Sequence, residues 1–337
     1  MSLSPLTQHF VFNDSANSSA KPAVVFIMGP TASGKTALAM QLADKFPCEI
    51  ISVDSALVYK GLNIGSAKPS KQELESVPHH LIDIREPNEP YSAADFRVDA
   101  MQAIRETLAE GRIPVLVGGT MLYFKALVEG LAELPPADSH IRATLLCEAE
   151  ENGWPSLHKR LHNVDPLAAQ RIHENDSQRI QRALEVYEIT GRNLSSLQEE
   201  GRTAGACGKC FEDLYDVRAI ALSPKERKIL HQRIQVRFLQ MLETGLIAEV
   251  KGLYTKYGKN TDLPAMRAVG YRQVWSFLSG ELCYEEMVEK GIIATRQLAK
   301  RQLTWLRAWK NLHWFEGNED DLLNRVLLVL PLHRKNS

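Results

Sequence analysis

The chain reads as an α/β protein: a P-loop doubly wound parallel sheet with a helical insertion domain and a helical C-terminal part. Three observations predict this. Short apolar, β-branched runs alternate with helical stretches from Ala23 to Gly130. The first of those runs opens directly into a glycine loop and then a helix. Beyond Leu134-Pro135-Pro136 the strand pattern stops, and residues 137–205 carry helical periodicity alone.

Taken in order, AVVFIM (Ala23 to Met28) has the length and apolar content of a buried parallel strand. Gly29, Pro30, Thr31, Ala32, Ser33, Gly34, Lys35 and Thr36 follow and fill every fixed position of Gly-x-x-x-x-Gly-Lys-Thr, ahead of the helical TALAMQLADKF. Glycines let successive backbone N–H groups turn inward, and the helix N-terminus adds partial positive charge, so the loop is a cradle for a di- or triphosphate. Lys35 would reach the terminal phosphates, and the Thr36 hydroxyl would hold Mg²⁺. EIISVD is a second strand ending at Asp54, HLIDI a third after a glycine-bearing loop, and IPVLVGG a fourth. Ser92 caps a helix that stops near Gly111, and MLYFKALVEG is a further helix. Asp54 and Gly118-Gly119-Thr120 then fall at strand carboxyl ends, where such sheets bind ligands.

The insertion reads as helices SHIRATLLCEAEENG, PSLHKRLHNV, DPLAAQRIH and SQRIQRALEVYEITG, the last closing at Gly191. DVRAIAL returns to a strand, Ser223-Pro224 is set to start a helix, and helical pattern continues to about Trp309. The expected divisions are a loose leader over 1–21, a core over 22–136, an insertion lid over 137–215, a C-terminal core part over 216–315 and an unplaced tail over 316–337.

Hydrophobic residues make up 44% and charged residues 24% of the 337, as in an ordinary globular protein. With a net charge of −1, any nucleic-acid surface must be a local patch. No apolar run approaches the roughly 20 residues of a membrane span. The five cysteines are an odd, scattered set suited to a reducing cytosol, and Cys207-x-x-Cys210 reads as loop for want of a second pair or a nearby His. His79 and His80 read as packed or capping residues.

Asp54 is the only acidic strand end available to the cradle, which leaves three roles open: carboxylate on the metal side, general base, or turn cap with Ser55. The basic residues suggest a partner. No carboxylate occurs between Glu289 and Glu316, whereas Arg296, Lys300 and Arg307 share one helical face, with Leu298, Trp305 and Trp309 opposite to pack. Such an unmixed face favours phosphate contact. Arg267-Ala-Val-Gly-Tyr-Arg272 sets two arginines and an aromatic around a glycine, suited to RNA backbone and a splayed base. Gln178-Arg-Ile-Gln-Arg182 places Arg179 and Arg182 on adjacent turns.

Together GPTASGKT, ISVDSALVYKGLNIGSAKP, HHLIDI, YSAADF, LVGGTMLYFKAL, RAVGYRQ and TRQLAKRQLTWLR resemble the bacterial tRNA dimethylallyltransferase family, from about Pro22 to Trp309. The resemblance implies transfer of a dimethylallyl group from dimethylallyl diphosphate to N6 of adenine 37, beside the anticodon of tRNAs reading codons that start with U. The cradle would then hold a departing diphosphate rather than a cleaved nucleotide. By this resemblance Asp54 is the base, Ser55, Ala56 and Leu57 border the adenine, Thr120 lies near the reacting centre, and Arg142 and Arg237 touch substrate. Contacts to tRNA map onto Gln178, Arg179, Ile180, Gln181 and Arg182; onto Arg267, Ala268, Val269, Gly270, Tyr271 and Arg272; and onto Lys300, Arg301, Gln302, Leu303, Thr304, Trp305, Leu306 and Arg307. The expected cofactor is Mg²⁺, the partners are the tRNA anticodon stem-loop and dimethylallyl diphosphate, and the protein is expected to act as a monomer in the cytoplasm. An ATP-dependent kinase and a non-catalytic P-loop RNA binder are the alternatives; neither accounts for both the basic helix and Asp54.

Overall fold

The computed structural model of the chain describes residues 21–205, 210–258, 263–317 and 321–330. It separates into two compact units, Met1–Leu127 with Glu212–Ser337, and Val128–Phe211.

The first unit holds the sheet. β1 (Ala23–Met28), β2 (Cys48–Val53), β3 (His79–His80), β4 (Ile113–Gly118), β5 (Asp216–Leu222) and β6 (His313–Phe315) lie in the order β3-β2-β4-β1-β5-β6. Every pairing is parallel. Both faces of a parallel sheet are covered, so its strands are apolar throughout rather than alternating. Val25 and Ile27 of β1 pack with Leu38, Ala39 and Leu42 of α1 (Lys35–Ala43). Phe26, on the other face, meets Phe124 at 5.1 Å and Trp309 at 6.5 Å between ring centroids. The remaining helices before the insertion are α2 (Lys71–Ser76), α3 (Ala93–Ala109) and α4 (Met121–Glu129). Ser92 caps α3 in a capping box with Asp95, as expected of that Ser-x-x-Asp.

The second unit is helical: α5 (Ser139–Asn152), α6 (Trp154–Val164), α7 (Pro166–Arg171), α8 (Ser177–Thr190) and α9 (Leu194–Gly205). Leu145, Leu157, Leu161, Ile180 and Leu184 form its core. Glu185 is fully buried there, accepting from Arg142 at 2.8 Å, Arg182 at 2.6 Å and the Asp138 amide at 2.9 Å. Burial pushes its carboxyl up, but these donors outweigh burial and hold it below the usual carboxylate range. Past α10 (Phe211–Leu214) and β5 come α11 (Arg227–Glu243), α12 (Leu246–Tyr257), a 3₁₀ turn at Pro264–Arg267, α13 (Tyr271–Leu278), α14 (Tyr284–Arg307) and α15 (Leu322–Val329).

Two expectations are corrected here. HLIDI is not a strand beyond its first residue, because β3 is His79–His80 alone. Leu81 and Asp83 have φ of 63° and 56°, and the Asp83 and Ile84 amides donate to Leu57 and Val58 rather than to the sheet. Ser223 does not start a helix: its amide donates to Phe315 at 3.1 Å, extending the β5–β6 pairing, and α11 begins at Arg227. The segment left unplaced from residue 316 packs onto the sheet as far as it is described. β6 adds a sheet edge, and Phe315, Leu322, Val326 and Leu330 join the core cluster of Val25 and Ile27. The leader residues 1–20 and Cys207 lie outside the described residues.

A candidate active site at the carboxyl ends of the strands

Strand register assembles the site. Met28 of β1 and Val53 of β2 both stand beside Gly118 of β4. The residues that follow, Gly29, Asp54 and Gly119-Thr120, must therefore emerge side by side. The Thr120 amide donates to Val53 at 3.2 Å, and its hydroxyl accepts from the Ser55 amide at 3.0 Å. Asp54 accepts from the Ala56 amide at 2.8 Å through Oδ1, so the turn-cap role is real and occupies one carboxylate oxygen. Ser55 is exposed, and Ala56 and Leu57 are half-buried.

The cradle has the backbone its composition demands. Ala32 and Gly34 take positive φ, 62° and 95°, curling the loop into the start of α1. A Cβ on Gly29 would lie 2.4 Å from the Leu222 carbonyl oxygen, so no larger residue fits against β5. Ser33 is buried with its hydroxyl unpartnered. Pro30 accepts from the Lys35 ammonium at 2.7 Å. Burial pulls Lys35 down to about 8, opposed by the charge of Asp54 and reinforced by that of Arg237. Arg237, on α11, is likewise lowered by burial, with Asp54 opposing. Lys35, Asp54 and Arg237 therefore act on one another electrostatically. Thr36 is exposed at the first turn of α1. Among the described residues no cluster of three or more His, Cys, Asp or Glu could cage a metal ion. The donor chemistry instead suits Mg²⁺ held by the Thr36 hydroxyl together with phosphate oxygens and water.

Sequence reasoning missed how two residues are used here. Gln302 on α14 accepts from the Thr31 amide at 3.0 Å and donates to the Gly119 carbonyl at 2.9 Å, clamping cradle to β4. A glutamine amide offers one acceptor and one donor side, and nothing local in the sequence marks which long-range partners it finds. Tyr123 on α4 stacks on Phe96 at 4.5 Å; burial, then Tyr59 and Asp54, hold its phenol above the usual range. The glycine-rich LVGGTMLYF block was the available signal.

The basic stretches divide. Lys300, Arg301, Thr304 and Arg307 are exposed, Leu303 is half-buried and Leu306 is fully buried. Trp309 packs on Phe124 as expected, but Trp305 is only partly covered: it is 39% exposed, with the Lys125 ammonium over its ring. Tyr271 is no platform for a base. It is fully buried, donating to Glu249 at 2.5 Å and accepting from the Ser66 amide at 3.2 Å, because its ring fills the space beside Gly65. Arg267 and Arg272 remain exposed on either side of half-buried Ala268 and Val269 and of Gly270, whose φ is 93°. In the helical unit Gln178 and Arg179 are exposed, and Arg179 pairs with Asp176 at 3.4 Å. Ile180 is core, Gln181 donates to the Arg142 carbonyl, and Arg182 and Arg142 are committed to Glu185.

Known proteins share the fold and the family. The family model described as IPP transferase matches residues 57–309. The chain belongs to the IPP transferase family. A solved full-length tRNA isopentenylpyrophosphate transferase from Bacillus halodurans is 37% identical, with TM-score 0.65, over 92% of this chain and 94% of that one. A tRNA delta(2)-isopentenylpyrophosphate transferase from Staphylococcus epidermidis is 34% identical, with TM-score 0.64, over 92% of this chain and 98% of that one. A eukaryotic dimethylallyltransferase solved acting on tRNA is 28% identical, with TM-score 0.74, over 91% of this chain and 78% of that one. As in these IPP transferases, the fold is α/β around a parallel sheet. No helix among the described residues is long and apolar enough to cross a membrane.

Proposed function

We propose that the chain joins the prenyl group of dimethylallyl diphosphate to N6 of the adenine next to the anticodon in tRNAs that read codons starting with U. Family membership makes it a tRNA prenyltransferase. What carries the residue-level reading is one observation: Asp54, Thr120, Lys35 and the glycine cradle leave adjacent parallel strands at a single edge.

An adenine amino group is a weak nucleophile, because its lone pair is delocalised into the ring. Two aids answer that. The free oxygen of Asp54 takes the N6 proton as the new C–N bond forms, with Ser55, Ala56 and Leu57 bordering the base. The C–O bond breaks with its electron pair leaving on diphosphate, whose growing charge falls on Lys35, Arg237 and the amides at the start of α1. Mg²⁺ on Thr36 would supply further charge neutralisation. Thr120, which orders the Asp54–Ala56 turn through the Ser55 amide, positions the base rather than reacting itself. Reaching Asp54 requires the adenine to leave its loop stack. The exposed Arg179, Arg267, Arg272, Lys300 and Arg307 supply phosphate contacts to the anticodon stem-loop, and the protein acts as a monomer.

The test is mass analysis of nucleosides from tRNA incubated with the protein and dimethylallyl diphosphate. Adenosine carrying one added isoprene unit is expected. Formation of ADP from ATP with the phosphoryl group carried on an acceptor, and no nucleoside change, would establish a kinase instead.

A further inference from the structure

A groove in the sheet unit has no part in the chemistry above. Its volume is about 400 Å³, and it lies between the first half of α11, the second half of α14 and the end of β6. Arg227 and His231 line it from α11, Arg296, Lys300 and Arg307 from α14, and Trp314 from β6. Its floor is apolar, with Leu230 and Ala299 both nearly fully buried. The volume is in the range of a small-ligand site and suits one nucleotide.

Charge decides what kind of ligand it takes. Among the described residues that line it, Glu316 is the one carboxylate, and it pairs with Lys225 at 2.7 Å. The Nε–H of Arg296 is buried with no acceptor, although its Nη2 reaches Gln235 at 3.2 Å. His231 Nε2 accepts from Arg227 at 3.3 Å, and burial with Arg296 and Arg227 alongside holds the imidazole below its ordinary value. Crowding cations this way in a concavity costs energy unless an anion completes it.

Trp314 narrows the ligand further. Alternation along β6 sends Phe315 into the core and leaves Trp314 44% exposed at the groove. An indole beside guanidinium groups is what an unstacked base and its phosphate require. The groove adjoins the diphosphate cradle, whose Ala32 packs against Leu230 and Ala299, but none of the cradle's residues from Gly29 to Thr36 lines it. Arg227 lies ten residues before Arg237 on α11, about 15 Å along the axis. Gln302, which clamps the cradle, projects from the side of α14 opposite Lys300 and Arg307.

We propose that the groove is a second nucleotide pocket, taking a nucleotide of the RNA other than the reacting adenine. Its base stacks on Trp314, and its phosphate lies among Arg296, Lys300 and Arg307. This rests on the reading that the substrate is tRNA, in which Lys300 and Arg307 already meet phosphate, and adds Arg296 and the Trp314 stack to it. The pocket would hold the loop distorted while the adenine sits at Asp54.

Binding of a fluorescently labelled anticodon stem-loop RNA to the full chain tests it, with calorimetry of Mg²⁺-pyrophosphate in parallel. Trp314→Ala should weaken RNA binding about 5- to 150-fold, the usual range for loss of one base–aromatic stack, while Trp314→Phe keeps most of it. Pyrophosphate affinity should not change in either. Arg296→Ala should make the salt dependence shallower by about one phosphate contact. Unchanged RNA affinity in Trp314→Ala overturns the proposal. So does a loss of pyrophosphate affinity with RNA binding intact, which would make the groove a site for free phosphate. Equal melting temperatures of the two Trp314 variants guard against misfolding. Wild-type protein that neither binds nor prenylates the stem-loop would overturn the tRNA reading itself, so the two failures are distinguishable.

Discussion

Asp54 does two things with one carboxylate. Oδ1 holds the turn through the Ala56 amide, and only the other oxygen is left for a proton. Asp54→Asn should keep the turn and still slow transfer about 10²–10⁴-fold, the contribution of a positioned general base. Single-turnover rates across a Mg²⁺ series check this: they should stay low throughout, whereas recovery at high Mg²⁺ would assign Asp54 to the metal. Lys35 sets a pH dependence. Its folded value is near 8 against an ordinary 10.5, so between these the unfolded chain binds the extra proton and folding gains stability as pH rises. Diphosphate reverses the preference by favouring the charged ammonium. Below about pH 8 the amine is already charged and affinity should be flat. Above it, binding must take up a proton, so affinity should weaken toward pH 10.5. Calorimetry in buffers of different ionisation enthalpy would report that uptake, and Lys35→Arg should abolish it.

At the scale of elements, α14 serves the cradle with one side and the groove with another. Gln302→Ala leaves the Thr31 N–H and the Gly119 C=O without their partner, so the cradle loses its clamp. Misplacement of about 1 Å can cost roughly 10²-fold in rate. A fall of that order in kcat/KM for dimethylallyl diphosphate is expected, with tRNA affinity little changed. Lys300→Ala with Arg307→Ala should do the opposite: weaker tRNA binding and a shallower salt slope, with sequence preference intact. The start of α13 gives a contrasting case. Tyr271→Phe removes a hydrogen bond to the Glu249 carboxylate and should cost about 1.5–3 kcal/mol in denaturant unfolding, with RNA affinity unchanged.

On the scale of the whole molecule, the chain closes its sheet with its last described elements. β6 covers the β5 edge, and Phe315, Leu322 and Val326 finish the core under β1 and α1. Phe315→Ala should therefore destabilise by about 3–5 kcal/mol, measured by equilibrium unfolding, although it lies far in sequence from the cradle. The helical unit has its own core around Leu157 and Ile180, so the two units owe their stability to separate apolar clusters.

Local chemistry was enough for much of this protein. The bounds of β1, β4 and β5, the cap at Ser92, the first four helices of the insertion (though not α9) and the cradle from Gly29 to Thr36 follow from periodicity and turn chemistry within a few residues. Family motifs then named the activity. What stayed illegible depends on partners distant in the chain. Gln302 and Thr31 are 271 residues apart, and no local pattern says that their amides meet. Tyr271 and Arg182 look like RNA contacts in sequence, because an aromatic or an arginine has the same local signature whether it faces solvent or a buried carboxylate. HLIDI has strand composition, yet its amides go to residues 57 and 58. Short-range periodicity reports which face of an element is apolar. Only the packed structure decides what that face meets, because hydrogen-bond and ion-pair partners are set by register and packing across the whole fold.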